Sequence, residues 1–155
     1  HVSVVIGTTG WQAEEAALRR DLASTPIGVI AAPNFAIGVN VFFAIAERSA
    51  QLLVQRGFAP WIHEAHHSAK KDAPSGTALA LRGVVETAGA PVDVSSTRAG
   101  HIPGTHTVGF DSPAEMITLT HAARDRTAFA RGALVAANWI RGRRGWYSMK
   151  DLLEL

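Results

Sequence analysis

Between Glu64 and Ala78 the chain gathers its densest set of reactive side chains: His66 and His67 side by side, then Lys70 and Lys71, then the run Pro74-Ser75-Gly76-Thr77. A histidine can give or take a proton near neutral pH, and the lysines add positive charge beside it. The Pro-Ser-Gly-Thr run has the composition of a helix start with Ser75 as N-cap. The first turn of a helix leaves backbone N–H groups without intrahelical partners, so Gly76 and Thr77 can hold a carboxylate or phosphate. Cation, proton donor and anion cradle together describe a site for an acidic substrate that gains a proton. A plain strand followed by a capped helix would account for Pro74 and Ser75, but not for paired histidines followed by a lysine.

The elements that must position these groups follow from local pattern. Phe58–His66 reads as a strand, and its alternation puts Glu64 and His66 on one face and His63 and His67 on the other. Those four side chains therefore do not converge as metal ligands, no Cys completes a set, and no metal is expected; His63 is read as a strand-surface residue. A helix is expected from Ser75 to about Ala88. Upstream, Val2–Ile6 is a strand of the fully buried type, leading through Gly7-Thr8-Thr9-Gly10 into a helix over Gln12–Leu22. Ile27–Ala32 is a second buried strand, followed by the loop Pro33–Asn40. Asn40 has the character of an N-cap for a helix over Val41–Arg56, which Gly57 ends. Ligands of parallel sheets sit at the carboxyl ends of the strands, which singles out both of these loops.

Downstream, Val92–Arg98, Thr105–Phe110 and Glu115–His121 read as strands of an antiparallel or mixed sheet, the last two joined by a turn at Asp111-Ser112-Pro113. A long helix over Arg126–Ile140 carries Phe129, Leu134 and Trp139 as its apolar positions. The basic cluster Arg141, Arg143 and Arg144 reads as a helix end favoured by the dipole. No aromatic platform accompanies it, so nucleic acid is not expected as a partner.

The chain has 155 residues, 47% hydrophobic and 18% charged, which is enough to build a sizeable core. A net charge of +2 suits an anionic ligand and is too small to argue for nucleic acid. There is no Cys, so disulfides and thiolate metal sites are excluded. No apolar run approaches the roughly 18 residues of a membrane span. No secretory leader precedes the first strand, and a cytoplasmic protein is expected.

The stretch from Glu64 to Ala78 resembles the signature of the dihydrodipicolinate reductase (4-hydroxy-tetrahydrodipicolinate reductase) family, Glu-x-His-His-x-x-Lys-x-Asp-Ala-Pro-Ser-Gly-Thr-Ala, at every specified position. The similarity continues in Gly7-Thr8-Thr9-Gly10, in Asn34–Asn40 (with Ala36 in place of the usual Ser), and in Ser96-x-Arg98-x-Gly100. It extends through Pro103–Phe110, Thr120-His121-x-Ala123-x-x-Arg126, Arg126-x-x-Phe129-Ala130-x-Gly132-Ala133 and Gly145–Leu152.

This resemblance implies an α/β chain: the C-terminal remainder of a Rossmann-type parallel sheet, plus an α+β substrate and tetramerisation domain with an open mixed sheet. Residues 1–38 and 127–155 would form the first and 39–126 the second. The implied reaction is reduction of a cyclic unsaturated dicarboxylate with NADH or NADPH, in diaminopimelate and lysine biosynthesis. His66 would be the acid and Lys70 a second donor or charge stabiliser, with His67, Lys70, Gly76 and Thr77 holding the carboxylates. Lys71 falls at a variable position and is left out. Gly7, Thr8, Thr9, Ala32, Pro33, Asn34 and Phe35 would meet the nicotinamide end of the cofactor, and the assembly would be a homotetramer. Neither G-x-G-x-x-G nor a P-loop occurs, and the resemblance implies that the N-terminal part of the nucleotide-binding domain is not within these residues. A non-catalytic substrate-binding or assembly module is the alternative expectation.

Overall fold

The computed structural model describes residues 2–8 and 10–155. In chain order the elements are β1 (Val4–Ile6), α1 (Glu15–Leu22, entered through a 3-10 turn at Gln12–Glu14), β2 (Gly28–Ala31), α2 (Ile37–Leu53, continued by a 3-10 turn at Val54–Arg56), β3 (Ala59–His66), α3 (Gly76–Glu86), β4 (Asp93–Arg98), β5 (Thr105–Asp111), β6 (Met116–Ala122), α4 (Thr127–Trp139), β7 (Gly145–Tyr147) and α5 (Met149–Leu153). The chain divides into two compact units, His1–Val41 with Thr127–Leu155, and Phe42–Arg126. Among the described residues the first unit holds a parallel sheet in the order β1-β2-β7, and the second a mixed sheet in the order β4-β3-β5-β6. The fold class is the one implied by the sequence.

In the first unit the central strand β2 is buried, and Ile30 packs with Phe35, Ala136, Ile140 and Met149. β1 differs from expectation. It is half-buried, because it lies at the edge of the sheet and pairs with β2 alone among the described residues. The short strand β7 was not anticipated. Its three residues carry no alternation to read, and the pairing with β2 becomes visible only in three dimensions. On α4 the inward face is made by Gly132 and Ala136, whereas Phe129 and Leu134 are 39% and 67% exposed. Arg143 closes the end of α4: its guanidinium stacks over the Trp139 ring at 3.9 Å and its Nε donates to the Trp139 carbonyl.

Asn40 is not an N-cap. The Asn34 side chain accepts the Ala36 N–H at 2.8 Å, so α2 begins at Ile37. From inside that helix Asn40 Nδ2 donates back to the carbonyls of Asn34 and Ala36, each at 2.9 Å. At the other end Gly57 takes φ 85°, the left-handed stop expected of it. The helical stretch Ile37–Arg56 is long and apolar enough to cross a membrane by length and composition alone, with an 18-residue window of mean hydropathy 1.3, although Asn40, Glu47, Arg48 and Gln51 interrupt it. In this fold Phe42, Ala46 and Ala50, spaced one helical turn apart, enter the core of the second unit with Ile62, Leu81, Val108 and Phe110.

Candidate active site

Strand register builds the site. Pro60, Ile62, Glu64 and His66 alternate onto the buried face of β3. Glu64 lies directly opposite His106 of β5 on one side and Ser96 of β4 on the other, and His66 lies opposite Arg98 of β4. A run of apolar residues thus gives way, at the carboxyl end of β3, to a buried polar cluster. Glu64 is 0% exposed, His66 9% and His106 6%.

A fully buried carboxylate needs partners for its lone pairs. Glu64 has them: Oε1 accepts from Arg98 Nη2 at 2.7 Å, and Oε2 makes a short hydrogen bond with His66 Nδ1. Burial alone would push this carboxyl up. The hydrogen bonds from Arg98, Ser96 and His66, together with the charge of His66, outweigh it and hold Glu64 at about 2. Arg98 Nη2 also donates to the carbonyl of Asp72 and Nη1 to that of Thr97, while Nε has no partner among the described residues.

His106 stands edge-on to His66, with ring centroids 5.2 Å apart. Burial, reinforced by the neighbouring His66, lowers it to about 4, so it is neutral at physiological pH. Its Nε2 is 3.2 Å from Ser75 Oγ, which in turn accepts the Ala78 N–H at 3.2 Å. Ser75 therefore caps α3 as its composition implies and also ties the start of that helix to β5. Donor atoms of Glu64, His66 and His106 lie within 4.8 Å of one another, so Glu64 and His66 do converge, with a partner that strand alternation alone does not supply. The Glu64 oxygens are engaged by Arg98 and His66, which makes the cluster an ion-pair network rather than an open set of metal ligands.

The remaining expected groups follow β3. His67 is half-buried, and its carbonyl accepts the Lys70 N–H at 3.1 Å in the turn that sets Lys70. Lys70 Nζ donates to both carboxylate oxygens of Asp72, at 2.7 and 2.9 Å. Those hydrogen bonds, with help from the backbone N–H of Gly76, lower the Asp72 carboxyl below its usual range. An anion thus already rests between Lys70 and the start of α3. Gly76 is exposed and Thr77 half-buried in that first turn; Lys71 is exposed.

In the first unit, Thr8, Ala32 and Pro33 line one cavity of about 180 Å³ together with Trp11, Arg19 and Trp146. Trp11 Nε1 donates to the Thr8 carbonyl at 3.0 Å. Gly7 lies against the buried Phe35 ring, whose side chain belongs to the core. Asn34 spends its side-chain oxygen on the turn into α2. Thr9 lies outside the described residues. Glu15 also lines this cavity and accepts from the Arg19 guanidinium at 2.7 and 2.9 Å.

Sequence reasoning missed Glu64, Arg98, His106 and Asp72 as parts of the site. A carboxylate at the buried period of a strand was the available signal for Glu64. The motifs around Arg98 and His106 were visible, but their meeting depends on pairing between strands distant in sequence.

Residues 38–153 match the family described as "Dihydrodipicolinate reductase, C-terminus". The 4-hydroxy-tetrahydrodipicolinate reductase of Stenotrophomonas maltophilia is 45% identical over 97% of this chain and 62% of its own length. That of Laribacter hongkongensis is 38% identical over 99% of this chain and 65% of its own. The chain thus spans just under two thirds of these relatives. A dipicolinate-bound dihydrodipicolinate reductase from Paenisporosarcina sp. TG-14 has a similar fold, with a TM-score of 0.80 at 24% identity over 95% of this chain and 63% of that one. With signature, sheet topology and three quarters of its length in agreement, the chain belongs to the dihydrodipicolinate reductase C-terminus family.

Proposed function

We propose that this chain carries the substrate-binding and proton-donating part of a 4-hydroxy-tetrahydrodipicolinate reductase, which forms tetrahydrodipicolinate with NADH or NADPH in diaminopimelate and lysine biosynthesis. The supporting observation is His66, held against the ionised Glu64 and followed by a turn that sets Lys70 and then by the start of α3 at Gly76. When bound, the reduced nicotinamide would supply a hydride to the conjugated imine that the substrate becomes on losing its 4-hydroxyl as water. The electron-rich carbon left behind must take a proton, and His66 gives it. Lys70 exchanges Asp72 for a substrate carboxylate and balances its charge, while His67 and the Gly76 and Thr77 donors hold the carboxylates. Gly7, Thr8, Thr9 and the run Ala32–Phe35 would hold the nicotinamide end.

The same reading assigns residues 1–38 and 127–155 to a dinucleotide-binding domain and 39–126 to substrate binding and oligomerisation, in a cytoplasmic homotetramer. Strand β6, with one open edge among the described residues and with Met116 and Ile117 exposed, supports the oligomer. The deciding experiment is His66→Gln in the full-length reductase that carries this chain. Turnover should fall on the order of a hundredfold, with affinity for pyridine-2,6-dicarboxylate nearly kept, because the proton moves only on the way to the transition state. An undiminished kcat would remove His66 from the reaction.

A further inference from the structure

We propose that Glu64 is the positioning residue for proton transfer: it keeps a proton on Nδ1 of His66 and so makes Nε2 the atom through which protons pass, while Arg98 holds both that carboxylate and the loop bearing Lys70. The inference rests on His66 being the proton donor.

An ionised carboxylate can only accept hydrogen bonds. Oε1 is taken by Arg98, so Oε2 is left to face His66 Nδ1, and that nitrogen must carry a hydrogen. The other ring nitrogen is uncovered for a specific reason. A β-carbon on Gly104 would lie 3.1 Å from His66 Nε2, and Gly104 takes φ +147°, a conformation that side-chain-bearing residues rarely adopt. The missing side chain leaves Nε2 its approach.

The proton balance closes on these atoms. The imidazolium gives up its Nε2 proton, the N–H bond breaks onto that nitrogen, and the ring remains neutral with Nδ1–H bonded to Glu64. Solvent then reprotonates Nε2. Glu64 stays ionised throughout, which its low protonation range ensures. Arg98 adds a second link, because the guanidinium nitrogen that holds Glu64 also donates to the carbonyl of Asp72, whose carboxylate pairs with Lys70. One side chain therefore sets the positions of both groups expected to stabilise or donate charge.

Long-range proton–nitrogen NMR on the 15N-labelled chain reads the tautomer directly. In the wild type the neutral His66 ring should be the Nδ1–H form. In Glu64→Gln, Arg98 should keep the side-chain oxygen and turn the amide N–H toward Nδ1, so the ring should switch to Nε2–H with the backbone spectrum otherwise retained. A residue with a merely structural role would leave the tautomer unchanged. In the full-length reductase the same variant should lose roughly tenfold or more of kcat, with KM within about threefold. A wild-type ring in the Nε2–H form, or a Glu64→Gln enzyme with Nδ1–H and normal kcat, overturns the proposal. If Glu64→Gln does not fold, the wild-type spectrum decides alone. Full turnover in His66→Gln would instead sink the proton-donor reading and leave the tautomer result standing.

Discussion

Gly132 of α4 lies so close to the backbone of Phe35 that a β-carbon on it would sit 1.7 Å from the Phe35 carbonyl oxygen. Helix α4 therefore fixes the loop from Pro33 to Ala36, one of the two loops expected at the nicotinamide. Gly to Ala inside a helix normally stabilises by up to about 1 kcal/mol, but overpacking against backbone costs about 1–3 kcal/mol or more. Gly132→Ala should lower stability by about 2 kcal/mol in urea denaturation. Gly83→Ala on α3, with nothing within 4 Å of the new methyl, should raise it slightly. Equal stability of the two variants would contradict the close approach.

Stability should fall with acid in two stages. His106 is lowered from 6.5 to about 4 in the folded chain, so across that window the unfolded chain binds a proton that the folded one excludes. The half-buried His121, also lowered by burial, acts in the same direction. Glu64 is lowered from 4.5 to about 2; its contribution is complete above 4.5 and is lost as pH falls toward 2. Each of the groups His106 and Glu64 contributes on the order of 2–3 kcal/mol. A His106→Gln variant should show a flatter melting temperature between pH 6.5 and 4, and an unchanged fall below that. A slope equal to wild type in the upper window would rule out a buried neutral His106.

The anion cradle can be tested by calorimetry with pyridine-2,6-dicarboxylate. Lys70→Ala should weaken binding by about tenfold and make the remainder less salt-dependent, since it removes a charge. Thr77→Val should weaken it a few-fold without altering the salt dependence. Asp72→Asn should strengthen it a few-fold, because the Asp72 carboxylate no longer competes for Lys70. Tighter binding in Lys70→Ala, or weaker binding in Asp72→Asn, would place the carboxylate elsewhere.

Gly104→Ala should slow turnover more than it weakens substrate binding, because the added methyl crowds His66 Nε2. Steady-state kinetics in the full-length reductase separates the two effects. A normal kcat would mean that protons reach the ring from another side.

What could be read from the sequence was local. Ser75 as a cap and the shared face of Glu64 and His66 follow from rules spanning two or three residues. The positions of Arg98 and His106 depend on the register of β4 and β5 against β3, which local pattern does not specify. The start of α2 was misjudged because Asn40 lies inside the first turn and spends its side chain on the carbonyls of Asn34 and Ala36 instead of capping the helix. Strand β7 and the half-buried state of β1 are properties of the assembled sheet, invisible in three-residue segments.

The parallel sheet places β7, from residues 145–147, against β2, from residues 28–31. During synthesis that sheet cannot close until residues 145–147 have left the ribosome. The mixed sheet is drawn from one continuous stretch and is complete some twenty residues earlier, once β6 has emerged at Ala122. A nascent chain stalled between these points should resist protease over Phe42–Arg126 while residues 2–41 are still cut, so the cluster around His66 would be assembled before the loops after β1 and β2 have a closed sheet to stand on.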